Sequence, residues 1–235
     1  MTTRKRISLI ALLSIAVAGV ISPSAHAAAT HYITVSAQGT VKVVPDAVRI
    51  NATATSVAAT SKEALAATAK TATAVRAALK SAKIDTKDIA TQSVSVYPEY
   101  KYTNDGGSTL TGYRGSQSFT ITVRAADTAG SLVDALVAAG GDNLQINGAT
   151  PFVLDSTKSL EAARAAAVKS AKAKATSYAK LMGVKLGKVN YLVENSAPTT
   201  YTPVMAVAKA ESDATVIDLG QQDVSISVTV QWSLL

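Results

Sequence analysis

Cysteine is absent from this 235-residue chain, and histidine occurs only at His26 and His31. The first absence excludes disulfides, thiolate metal centres, thiol nucleophiles and cysteine-linked lipids. The second leaves no material for a histidine metal site and very little for a Ser-His or Cys-His nucleophile. Aromatic residues make up 5% of the chain, with two Phe and one Trp, and charged residues only 17%. A long hydrophobic run is missing as well: the longest, Ile7 to Ile21, falls short of the ~18–20 residues that a permanent membrane helix needs. What the chain has in quantity is alanine, with 44 copies inside an apolar fraction of 48%. Alanine favours helix while burying little area, so the composition predicts thin helices packed closely on their neighbours.

The first residues read as a targeting signal. Arg4-Lys5-Arg6 precedes the apolar run, and Pro23, Ser24 and the small-residue pattern Ala25-His26-Ala27 follow it. This is the layout of a cleavable secretory signal over residues 1–27, with cleavage before Ala28 and export by the general rather than the twin-arginine route. Removal leaves residues 28–235 with 20 basic against 16 acidic side chains, so much of the basic balance belongs to the signal. The mature chain is expected to be secreted or periplasmic, without a stable membrane span, and long enough to bury a core unaided by staples. His31, the one histidine left, lies beside the new terminus, where chain ends are commonly mobile.

Two strands open the mature chain. Ile33, Val35, Ala37, Val41 and Val43 alternate up to Pro45-Asp46, and Val48, Ile50, Ala52 and Ala54 alternate beyond it, with Asp46 read as a turn residue. Thr60-Ser61-Lys62-Glu63 matches the capping box, in which hydroxyl and carboxylate satisfy each other's free amides, and predicts a helix over 61–82. Its apolar stripe is expected to be Leu65, Ala69, Ala72, Val75 and Leu79. A β-hairpin follows, 91–102 and 110–124, turning at Asn104-Asp105-Gly106-Gly107. Asp127 is expected to cap a second helix with Leu132, Val133, Leu136 and Val137 inward, stopping at Gly140-Gly141. A strand over 144–154 completes strand, helix, strand, strand, helix, strand, which is the split βαβ arrangement of ferredoxin-like folds. A third helix over 157–182 is expected to turn Leu160, Ala163, Ala167, Ala171, Tyr178 and Met182 to the core, with Lys169, Lys172 and Lys180 opposite. Strands at 188–194 and 223–232 flank a long segment, 196–221, rich in Thr, Ala and Pro. The expected fold is therefore α+β with antiparallel-rich sheets: a ferredoxin-like middle section at 46–154, and a second section of 31–45 with 155–235 as an added strand and helix layer.

Ile33-Thr-Val-Ser-Ala-Gln-Gly39, Val41 to Ile50 with Pro45-Asp46, Leu110-Thr-Gly-Tyr-Arg114, and Ala171-Lys-Ala-Lys174 through Leu186-Gly187-Lys188-Val189 stand in the order of the SIMPL domain, as does Val216-Ile-Asp-Leu-Gly220 before the last strand. The chain resembles that family from about His31 to Trp232. The resemblance implies an exported bacterial protein similar to those described as periplasmic immunogenic or oxidative-stress-related, and it brings no catalytic residues. Lys83 departs from the pattern by standing where the family favours Gly, as does Ala37. A positive φ at Lys83 would carry ~1 kcal/mol or more of strain.

Chemical alternatives find little support. Ser177-Tyr-Ala-Lys180 has the S-x-x-K spacing of serine acyltransferases but no S-D-N or K-T-G companion. Glu99, Asp105, Glu161 and Glu194 supply carboxylates for glycoside-type hydrolysis, yet they fall in turns and exposed positions. The Asn104–Gly107 turn lacks the acidic spacing of a calcium loop, and no glycine loop suits a phosphate. Two surfaces stand out. Tyr97, Tyr100, Tyr102 and Tyr113 put half of the eight tyrosines on the hairpin beside Arg114, a candidate interaction surface. Lys169, Lys172 and Lys180 form a candidate contact for anionic envelope polymer, the second reading. The sequence thus predicts a non-enzymatic protein with no cofactor, metal or nucleic acid, acting through self-association or an envelope partner in envelope or oxidative stress defence. A carboxylate hydrolase is the third reading.

Overall fold

A computed structural model describes residues 31–102, 106–195 and 214–235. The expected signal, the core of the Asn104–Gly107 turn and most of the 196–221 segment lie outside the described residues. In chain order the elements are β1 (Tyr32–Val43), β2 (Ala47–Ala58), α1 (Ser61–Ser81), β3 (Ile89–Tyr102), β4 (Ser108–Val123), α2 (Ala129–Gly140), β5 (Leu144–Phe152), α3 (Thr157–Leu181), β6 (Leu186–Asn195) and β7 (Gln222–Leu234).

The strands form two antiparallel sheets, ordered β3-β4-β2-β5 and β1-β7-β6. The first has the expected split βαβ topology: α1 joins β2 to β3 with β4 inserted between them, and α2 joins β4 to β5 across β2. Both helices cover one face, where Ile50, Ala52, Phe119 and Ile121 meet Val75, Leu79, Leu132 and Leu136. The second sheet carries α3. Every second residue of β7 from Val224 to Trp232 is buried, against Val35 and Ala37 of β1 and the alanines of α3. The strands β1 and β2 are consecutive yet belong to different sheets, because Pro45 interrupts the ladder and Asp46 re-anchors the chain. The Asp46 carboxylate accepts from the Leu154 amide at 2.8 Å, a long-range contact rather than a local turn bond.

Helix α1 begins as its capping box requires, with Glu63 N donating to Thr60 Oγ1 and Thr60 N donating to Glu63 Oε2. Its buried stripe is Ala64, Thr68, Ala72, Val75 and Leu79, so the expected Leu65 and Ala69 point outward in the first half. The cause is Gly115 of β4: a Cβ there would stand 2.5 Å from Thr68 Oγ1 and 2.7 Å from Ala64 O, so the helix backbone lies directly on the strand and only small residues face it. Asp127 does not cap α2. It sits in a 3-10 turn, Ala126–Thr128, and the helix starts after Thr128 without a side-chain cap. The helix does stop at Gly141, whose φ of 55° suits glycine. Val137 stays 46% exposed, since α2 turns Ala129, Leu132 and Leu136 inward. Lys83 has the positive φ, 60°, that the family's glycine would adopt without strain.

The stripe of α3 is Ala163, Ala167, Ala171, Ala175 and Ala179, a strict spacing of four residues. The expected Tyr178 and Met182 lie outside it and are more than half exposed. Close approach sets this choice. A Cβ on Gly39 of β1 would fall 2.2 Å from both Ala163 O and Ala167 N, so the α3 backbone rests on the sheet with no room for larger residues on its inner face. His31 is tied in as well, its carbonyl accepting from Leu234 N at 2.9 Å.

Candidate functional site

Among the described residues, strand β3 forms an edge of the four-stranded sheet and pairs only with β4. All residues from Ala90 to Pro98 are exposed, because α1 lies over β4 and β2 and reaches β3 only at its margin. Val94, Val96 and Tyr97 are 55%, 39% and 48% exposed. Register shifts interrupt the pairing between Thr91 and Ser93 and between Glu99 and Tyr100, leaving Ser93 to Glu99 regular.

Strand alternation divides the tyrosines between two faces. Tyr97 pairs with Arg114 and shares its face with Glu99, whose carboxylate accepts from Arg114 Nη2. That hydrogen bond, more than the Coulomb attraction that accompanies it, holds the Arg114 guanidinium above its ordinary range. Tyr100 and Tyr102 alternate with Tyr97 to the opposite face, which Tyr113 shares through its pairing with Pro98. The hairpin therefore presents aromatic rings on both sides of a thin ribbon. Tyr102 is the most exposed of them at 78%.

On α3, Lys169, Lys172 and Lys180 line one shallow furrow with Ala173, Thr176 and Ser177. None of the three lysines forms an ion pair with a described residue. Ser177 and Lys180 share that solvent-facing furrow rather than a catalytic cleft. The carboxylates do not converge either: Glu99 is held by Arg114 in one sheet and Glu194 by Arg164 at 2.8 Å in the other. Glu161 is exposed on α3. Asp105 lies outside the described residues. Among the described residues, no three His, Cys, Asp or Glu side chains are grouped to hold a metal ion, and no helix is long and apolar enough to cross a membrane.

One feature escapes the sequence pattern. Helix α3 lies over β1 and β7 but reaches β6 only at its margin. This opens an apolar trough of about 460 Å³ walled by Val168, Leu186, Val189 and Leu192, with Val230 and Trp232 at its floor. By strand alternation Val189 and Leu192, three residues apart, would face opposite ways; the register shift between Val189 and Tyr191 turns both to the side of Val230 and Trp232, and the lateral position of α3 leaves them uncovered, at 55% and 47% exposure.

Fold and surface together define the class: a two-sheet α+β protein in which the exposed features of note are a strand edge, an aromatic ribbon and a helix face. Its family is shown by sequence. Residues 33–232 match the SIMPL family model, described as a protein of unknown function (DUF541), and the chain belongs to that family. It is 31% identical over 145 residues to the uncharacterized protein YggE of Edwardsiella ictaluri, covering 59% of each chain. It is 30% identical over 164 residues to the 26 kDa periplasmic immunogenic protein of Brucella melitensis, covering 64% of each. With YggE of Escherichia coli it shares 32% identity over 133 residues, 55% of this chain and 52% of that one. The chain thus aligns with between half and two thirds of the length of these relatives.

Proposed function

We propose that this SIMPL protein is exported to the cell envelope and acts by surface contact, not catalysis, associating with a second copy of itself through the free edge of β3 in the service of envelope or oxidative stress defence. The observation that carries the reading is the edge itself. Ser93 to Glu99 is a regular stretch whose outer backbone groups pair with no described strand and whose valine and tyrosine stand in solvent, which is the type of edge that templates pairing with another chain. Pro98, which has no amide to donate, and the flanking bulges restrict such pairing to a short central segment and so fix its register. Export accords with the amino-terminal signal pattern and with the relative described as a periplasmic immunogenic protein. Sulfur chemistry is a poor vehicle for the stress role, since the chain has no Cys and only Met182 and Met205 beyond the expected signal.

The cysteine-free chain makes the test direct. In a two-fold antiparallel pairing centred on Ser95, a Ser95→Cys variant brings two thiols within disulfide range, a Cα separation of ~4.4–6.8 Å. Oxidation should give a covalent dimer in intact cells and in purified protein at micromolar concentration, while a Lys62→Cys control on exposed α1 should not. Equal crosslinking of the two variants, or none at Ser95→Cys, refutes the edge as the contact.

A further inference from the structure

The trough between α3 and β6 opens onto the lysine furrow: Lys172 and Thr176 line both. The geometry points to a binding site for a single-chain amphiphile with a phosphate headgroup, the acyl chain lying in the trough and the phosphate meeting Lys169, Lys172 and Lys180. This inference goes beyond the β3-edge reading and does not rest on it.

Shape, polarity and charge each contribute. From Val168 to Thr176 the helix rise of ~1.5 Å per residue gives the trough a length of about 12 Å, and the Arg164–Glu194 ion pair at 2.8 Å bridges α3 to β6 one turn beyond Val168. The lining is mainly aliphatic and indole carbon, with Lys172 and Thr176 on the side of the furrow, and the volume of about 460 Å³ falls within the ~300–1,000 Å³ of small-molecule sites. An extended peptide adding to β6 is disfavoured, because register shifts between Leu186 and Val189 and between Val189 and Tyr191 break the edge a new strand would need. A purely anionic polymer would use the lysines but leave Val189 and Leu192 in water. An anionic amphiphile satisfies both halves, burying apolar area while pairing cations that have no described partner.

Trp232 is the only tryptophan and sits on the trough floor, so its emission reports occupancy. The probe is dodecyl phosphate below its micellar concentration, titrated into the full mature chain, with dodecyl maltoside and inorganic phosphate as tail-only and head-only arms. The expected result is a saturable change in Trp232 emission with dodecyl phosphate and a rise in the melting temperature, as for any ligand that binds only the folded state. Inorganic phosphate should leave the emission unchanged, and dodecyl maltoside should need at least about tenfold more ligand. Lys169→Glu with Lys172→Glu, and separately Val189→Asn with Leu192→Asn, should each raise the half-saturating concentration about tenfold or more. All four positions are exposed, and an unchanged melting temperature without ligand shows the variants are folded. Absence of a saturable change, equal affinity for the maltoside, or indifference to either double substitution overturns the proposal. So does binding of long-chain polyphosphate but not dodecyl phosphate, which assigns the lysines to a polymer, or an emission that tracks protein concentration alone, which assigns the trough to a second copy.

Discussion

Gly39→Ala is predicted to be among the most damaging single-methyl additions in this chain. The new Cβ would lie 2.2 Å from Ala163 O and from Ala167 N, and 2.8 Å from Ala166 C. Ordinary carbon contacts lie near ~3.5–4.0 Å, so α3 must retreat by about 1 Å or more, and all three obstacles are helix backbone that cannot swing aside. A rigid helix lifted at one point opens a gap along its alanine stripe, and a gap of ~0.5–1 Å already forfeits a quarter to a half of each dispersion contact. Overpacking costs ~1–3 kcal/mol in general; with no yielding side chain the upper end applies, about 3 kcal/mol. For a domain of this size ~1 kcal/mol shifts Tm by about 2–4 °C, giving a fall of roughly 6–12 °C. Thermal unfolding followed by far-UV circular dichroism gives the shift, and Trp232 fluorescence reports the affected core. Ala165→Leu, on the exposed side of α3, serves as control and should stay within ~0.5 kcal/mol of the parent. A fall in Tm no larger for Gly39→Ala than for the control would refute the close-approach account of the alanine stripe.

Lys83→Gly should raise stability by about 1 kcal/mol, since φ at 60° disfavours a Cβ, and a Tm lower than the parent's would show that Lys83 makes a compensating contact. Phe119→Ala, in the core between α1 and the first sheet, should cost about 3–5 kcal/mol in denaturant unfolding, with a smaller loss meaning that the site collapses readily. Asp88 is held below its ordinary pKa, chiefly by accepting two hydrogen bonds at 2.7 Å from Arg124. A depressed folded value means that its contribution is present above the unfolded carboxylate pKa of ~4 and is lost as pH falls through the folded value. Asp88→Asn should therefore lower Tm at pH ~7 and differ less from the parent as pH drops below ~4; a gap that widens on acidification would contradict that sign.

Period-two strands and the capping box are local signals, and Thr60, Glu63, the alternation of β7 and the hairpin were legible because one short stretch of sequence specifies each. The helix faces were less so. Leu65, Tyr178 and Met182 fit an apolar stripe by residue type, but the inner faces of α1 and α3 are set by Gly115 and Gly39 on distant strands, which admit only small residues. Hydrophobicity scales rank leucine above alanine for burial, and here distance of approach outweighs that preference. Asp127 has the right residue type for a cap, yet a 3-10 turn moves the helix start beyond it. On the candidate surfaces, clustering of Tyr97, Tyr100, Tyr102 and Tyr113 was visible, whereas their division between two faces depends on strand register. The trough could not be read locally at all, because it results from α3 covering two strands of a three-stranded sheet.

The central claim is that this protein works through the β3 edge. Sedimentation equilibrium of the mature chain and of a Val96→Lys variant over a wide micromolar range tests it most directly. Position 96 is already exposed at 39%, so the charge leaves the fold intact while placing repulsion across a two-fold edge contact. The account predicts a reversible, defined oligomer for the parent and a monomer for Val96→Lys with unchanged Tm. A parent that stays monomeric throughout, or a variant that assembles as the parent does, would contradict it.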